Sequence, residues 1–198
     1  MENDSARALA RIDREVWIIT SQTENGRRGG LLATWFQPIS LDDSKPAILI
    51  AIHPNHYTRE LIDASGRFTA HLLRDDQVEL ALRFAKSSGR DSDKLAGLAL
   101  EASSGGSKRL RECAAWTEAR VFSRLNGGDR ILYWADCIAG GVESTATPLR
   151  ESTFFRSLPP GDLAILRENR RRDIEIASRH AATWRGNLPE NLRFSPTD

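Results

Sequence analysis

The residues between Ser87 and Lys94, Ser87-Ser88-Gly89-Arg90-Asp91-Ser92-Asp93-Lys94, combine hydroxyls, a glycine and two cations. That is a donor set suited to a phosphate or an adenylate tail, because each donor can give a hydrogen bond to an anionic oxygen. The same composition also describes a solvated connector. A second candidate anion site is Asn55-His56-Tyr57-Thr58, at the loop entering a helix, where free N–H groups and the partial positive charge of a helix start suit a phosphate. Plain capping by Thr58 is compatible with the same residues. His53, His56 and His71 lie close in sequence, but no neighbouring carboxylate or thiolate completes a ligand set, so no metal site is assigned. Cys113 and Cys137 sit in strand-like segments without a nucleophile signature; they could form a disulfide, but an intracellular chain favours two buried thiols.

The elements that must position these groups follow from periodicity. Val16 to Thr20 and Leu31 to Phe36 are β-prone runs joined by a polar turn at Gln22 to Arg28, a hairpin in which Trp17 reads as a core or interface aromatic. The uncharged run Ala47 to Ile52 reads as a central strand. Thr58 is the expected cap of a helix from Arg59 to Ala64 that stops at Gly66, and Phe68 to Leu73 returns as a strand. Asp76 and Glu79 form a capping-box-like start to a second helix over Asp76 to Lys86. Ala99 to Lys108 reads as a Ser/Gly-rich linker. Trp116 to Phe122 and Arg130 to Ile138 are strands joined by Asn126-Gly127-Gly128-Asp129, a strong hairpin signal. Gly161 to Trp184 reads as one amphipathic helix, expected to pack on the barrel or on a second subunit. Arg170-Arg171-Arg172 lies among Glu168, Asp173 and Glu175, which reads as a salt-bridged wet face and not as a nucleic-acid patch.

Composition sets the outer limits. A formal net charge of +1 over 198 residues argues against a dedicated nucleic-acid binder, and 40% hydrophobic with 28% charged residues is ordinary for a soluble globular chain. No apolar run reaches the ~20 residues needed to span a bilayer, and the start has no apolar signal core, so the expected location is cytoplasmic. No nucleophile elbow, P-loop or Gly-x-Gly-x-x-Gly fingerprint occurs.

Several segments, in their order, resemble the flavin reductase-like family of FMN-binding split barrels. They are Leu32-Ala33-Thr34-Trp35-Phe36, Ser40-Leu41-Asp42, Pro54-Asn55-His56-Tyr57-Thr58, the stretch Ala64 to Leu73, the stretch Asp76 to Ala85, and Gly128-Asp129-Arg130. The resemblance implies a mainly β fold with peripheral helices: a six-stranded antiparallel Greek-key split barrel with a C-terminal helix. It divides the chain into a lead-in (1–15), a flavin-binding barrel (16–146) and a linker with a packing helix (147–198). It implies FMN as cofactor, with FAD as the other option, NAD(P)H as co-substrate, a homodimer with the cofactor near the subunit interface, and a partner monooxygenase as an option.

The resemblance also assigns roles. Leu32, Ala33, Thr34 and Trp35, with Ser40, would lie along the edge of the flavin ring; Asn55, His56, Tyr57 and Thr58 would hold the phosphate. Ser88, Arg90 and Lys94 would add to that anion or to the pyridine nucleotide. His71 takes the place of a family asparagine and would face the pocket or the dimer interface. Arg130 stands where the family's Gly-Asp-His motif carries histidine; it can hold a phosphate or offset negative charge on a reduced flavin, but it cannot titrate near neutrality. Two family hydroxyls are missing from Leu32-Ala33-Thr34-Trp35, and an indole is added. The implied activity is hydride transfer between a nicotinamide nucleotide and flavin, in which protein groups position two rings. The alternative is a non-catalytic flavin-binding or electron-carrier protein.

Overall fold

A computed structural model describes residues 3–193. Its framework is one curled antiparallel sheet of β1 (Trp17–Gln22), β2 (Arg28–Ala33), β3 (Phe36–Pro38), β4 (Ala47–Ile52), β5 (Arg67–Leu72), β8 (Ala115–Asn126) and β9 (Ile131–Val142). The strands lie in the order β2-β1-β5-β8-β9-β4-β3. The expected run from Leu31 to Phe36 is divided: Ala33 still pairs with Trp17 on β1, whereas Phe36 pairs with Ile50 on β4. β2 and β3 are the two edges of the sheet, so the chain crosses from one edge to the other through Thr34 and Trp35, which curls the sheet into a split barrel. This division gives seven strands where six were expected. Trp17 stacks on Phe36 across the crossing, with ring centroids 3.9 Å apart.

Both faces of β1 are covered. Ile19 joins Ile50, Phe68 and Tyr133 inside the barrel, and Ile18 faces outward into a second cluster with Phe84 and Phe154. Successive residues of a strand point to opposite faces, so the uninterrupted apolar run requires cover on each side. That outer cover comes from α3 (Val78–Lys86) and α4 (Glu151–Ser157), the latter not anticipated from the sequence.

The helix α2 (Tyr57–Ser65) ends at Gly66 as expected, with φ +65° in the left-handed region that glycine tolerates. Its N-cap, however, is His56; Thr58 is buried inside the first turn and caps nothing. The expected capping box of Asp76 and Glu79 does not form either. Asp76 pairs with Arg74, and Gln77 precedes the helix and accepts from the Arg74 amide at 2.9 Å. The expected linker over Ala99 to Lys108 contains a hairpin of β6 (Leu100–Ala102) and β7 (Lys108–Leu110). Ser103 and Ser107 there donate to the fully buried carboxylate of Glu118, so burial of that charge organises the segment.

The lead-in carries α1 (Asp4–Leu9), and the C-terminal helix is α5 (Pro160–Gly186). Leu163 and Leu166 of α5 pack on the outer cluster, while Ile174 is 55% exposed, so the apolar stripe is interrupted at its middle. Further along, Asn169 donates to the Lys86 carbonyl, and Ala181 and Trp184 lie against Gly128 of the β8–β9 turn. Glu168 pairs with Arg171 and Arg172, the salt-bridged face expected there. Among the described residues, no helix is long and apolar enough to cross a membrane. Parts of the expected lead-in and tail, residues 1–2 and 194–198, lie outside the described residues.

Candidate cofactor-binding site

The crossing at Thr34 and Trp35 opens a cavity of about 630 Å³, also lined by Leu49, Ala51, Arg130 and Arg150. That volume is within the ~300–1,000 Å³ of small-molecule sites. Trp35 meets β4 through its carbonyl, which accepts from Ala51 N at 3.1 Å, and its indole is 46% exposed. The guanidinium of Arg130 lies 4.8 Å from the Trp35 ring centroid and donates to the Asp129 carbonyl at 2.7 Å. The Thr34 hydroxyl has no hydrogen-bond partner among the described residues. A flat apolar wall, a free hydroxyl and a fixed cation suit a planar ring with polar atoms along one edge.

A second group gathers at the start of α2. Arg90 donates to the Asn55 carbonyl at 2.9 Å, lies 5.7 Å from the Tyr57 ring and pairs with Glu60. The Ser88 hydroxyl accepts from the Arg90 amide, shaping that loop. His53, beside the start of α2, has a side chain that is 3% exposed, and its pKa is lowered first by burial, with the charges of His56 and Arg130 acting in the same direction.

The structure therefore brings together Thr34, Trp35 and Arg130 at the cavity, and Asn55, His56, Tyr57, Ser88 and Arg90 at the start of α2. It does not bring the other expected residues to either place. Leu32 packs against the outer cluster and Ala33 is buried in the barrel core. Ser40 lines a separate hollow of about 510 Å³ with Cys137 and Ala139, its hydroxyl engaged with the Asp42 backbone. Thr58 is 2% exposed. Lys94 is buried as well; its ammonium donates to the Phe84 carbonyl at 2.8 Å, and burial pulls its pKa down to about 8.

His71 departs furthest from expectation. It is fully buried, Nδ1 donates to the Ile18 carbonyl at 3.0 Å, and Nε2 accepts from the Leu110 amide at 3.1 Å. With both nitrogens spent on backbone groups it joins β1 to β7 and has no atom left for a ligand. Burial holds its pKa down at about 4. The cysteines are unpaired; burial raises Cys113 to about 11 and also raises Cys137, so neither thiolate forms readily.

One residue beside the site had no local signal. Asp173, on α5, places its carboxylate 3.9 Å from His53 Nδ1 and 3.8 Å from His56 Nε2. The carboxylate missing from the neighbourhood of the histidines in sequence thus arrives from 117 positions beyond His56. The His-x-x-His spacing was the one hint available.

Comparison with known proteins gives a consistent result. Residues 9–156 match the family model described as Flavin reductase like domain. The chain is 28% identical over 141 residues to the Actinorhodin polyketide dimerase of Streptomyces coelicolor, covering 71% of this chain and 77% of that one. It is 28% identical over 151 residues to the NADH-dependent flavin reductase StyB of Pseudomonas fluorescens, covering 76% and 84%. Among solved structures, the styrene monooxygenase flavin reductase of Pseudomonas putida S12 superposes with a TM-score of 0.64 at 25% identity, over 75% of this chain and 91% of that one. The chain spans only 24% of the Diflavin flavoprotein A 1 of Synechocystis that it also matches.

Proposed function

Because this chain belongs to the flavin reductase like domain family, we propose that it binds FMN or FAD and passes a hydride from NADH or NADPH to that flavin. The observation that carries this reading is the cavity at the barrel's crossing, where the free Thr34 hydroxyl, the exposed Trp35 face and the Arg130 cation converge. The residues present fit a flavin: Thr34 and the Trp35 backbone would hold the ring edge, and the start of α2 with Arg90 would hold the phosphate. When bound, the flavin supplies a ring that accepts a hydride. The protein's own part is to orient two rings and exclude water between them. Arg130 offsets negative charge there. Names of the relatives, flavin reductase and NADH-dependent flavin reductase, support the nicotinamide step.

We further propose that the unit works in the cytoplasm as a homodimer whose flavin-binding part spans 16–146 and is overlaid by the helix within 147–198. A monooxygenase that consumes reduced flavin is the partner class, by analogy with the styrene monooxygenase reductase. Arg130, in place of a titratable group, favours a second reading as a flavin-binding electron carrier. Anaerobic mixing with FMN and NADH separates the two: catalytic bleaching of the flavin's visible absorption supports the reductase, and bound but unreduced flavin supports the carrier.

A further inference from the structure

We propose that His53, His56 and Asp173 form a binding site for a divalent cation of the zinc class, which fastens α5 to the turn between β4 and α2. One ligand atom from each residue lies within 4.8 Å of the others. Two imidazoles and a carboxylate are a borderline-soft set that suits zinc, with cobalt as its spectroscopic substitute, and three protein ligands leave a position for water.

The hydrogen bonding at His53 points the same way. Its Nε2 lies 3.2 Å from the Asp173 carbonyl oxygen, which can only accept, so Nε2 carries the proton. Nδ1 is then a lone pair, taking one long contact of 3.3 Å from the Asn55 amide and facing Asp173 Oδ1 at 3.9 Å. Both atoms are electron-rich, and a metal ion that takes the Nδ1 lone pair from the long Asn55 contact would bridge them. A backbone carbonyl that accepts from the far nitrogen is also the arrangement that orients metal-ligating histidines. His56 adds a second irregularity, since its Nδ1 is buried with no hydrogen-bond partner. Metal bonds of about 2.0–2.2 Å put ligand atoms on a tetrahedral ion roughly 3.3–3.6 Å apart. The cluster must tighten slightly, and the half-exposed Asp173 side chain is free to move. Arg130, whose charge acts on both His53 and Asp173, opposes a dication, so micromolar affinity is expected and not tighter.

Asp173 lies outside the matched residues 9–156, so the site joins the family domain to an element beyond it. The proposal does not rest on the flavin reading, and its test contains no flavin. Protein stripped with a chelator is titrated with Co²⁺, with Zn²⁺ as competitor, alongside Asp173→Ala and the shape-conserving Asp173→Asn, each checked for native circular dichroism. One cobalt per chain is expected, displaced by zinc, with affinity reduced roughly tenfold or more in both variants. Zinc should also slow proteolysis within α5 of the wild-type chain and not of the variants. Absence of saturable binding at micromolar protein, or equal affinity in wild type and Asp173→Asn, would overturn the assignment.

Discussion

The guanidinium of Arg130 lies over the Trp35 indole, 4.8 Å from its centroid, at the point where the chain crosses between the two edges of the barrel. Contacts of this kind contribute about 0.5–2 kcal/mol. Arg130→Ala is therefore expected to weaken FMN binding by roughly twofold to thirtyfold in a fluorescence titration. Arg130→His should in addition give the reduction rate a pH dependence centred near about 6.5, where imidazole titrates. A rate that is flat with pH in that variant would remove Arg130 from the reacting face.

The phosphate assignment separates from the ring assignment through the choice of ligand. Arg90 reaches the start of α2 and also pairs with Glu60, so part of its charge is already balanced. Arg90→Ala should weaken FMN by about threefold to tenfold, the ~1 kcal/mol range of an exposed ion pair, and leave riboflavin unchanged. Equal losses for the two ligands would place the phosphate elsewhere.

His71 predicts an acid-side loss of stability. Its pKa is about 4 in the folded protein against an ordinary value of 6.5, because burial disfavours the charged ring. The unfolded chain therefore takes up the proton first as pH falls. The stabilisation is complete above about pH 6.5 and is lost progressively towards pH 4, amounting to about 2 kcal/mol at pH 5 for a single group with these values. Urea midpoints at pH 7.5 and pH 5 test this, and His71→Ala should shrink the difference. The variant should also cost about 2–4 kcal/mol at pH 7.5, because the Ile18 carbonyl and Leu110 amide both lose a buried partner.

Gly128 ties the barrel to the C-terminal helix. Its φ is +87°, and a Cβ there would stand 2.9 Å from the Ala181 Cα. Gly128→Ala combines left-handed strain with a backbone collision, so about 1–3 kcal/mol of destabilisation is expected. Hydrogen exchange should accelerate over Ala181 and Trp184 while the barrel strands keep their protection; uniform acceleration would mean that α5 and the barrel unfold together.

What could be read in advance followed from local pattern. The β-prone runs at 16–20, 47–52 and 116–122, the stop at Gly66 and the Asn126-Gly127 turn each rest on neighbours within a few positions, where side-chain period and backbone preference act directly. Arg90 lies 5.7 Å from the Tyr57 ring, a contact between two loops that no local pattern specifies. Misplaced expectations were those that needed a partner's identity: Thr58 and Lys94 are polar in sequence and buried in the fold, and His71 spends both nitrogens inside it.

By itself the amino-acid sequence determined that this is a mainly β chain with a helical C-terminal segment, because strand period and turn chemistry are local and survive without knowledge of the contacts; the order of its motifs added the resemblance to flavin reductases. Tertiary structure alone decided that Thr34 and Trp35 leave the sheet to open a cavity and that Asp173 reaches His53 and His56. Both outcomes depend on which distant segments pair across the closing barrel, and that choice is made by collective burial of Ile19, Ile50, Phe68 and Tyr133 in one core, a quantity that no short window of residues contains.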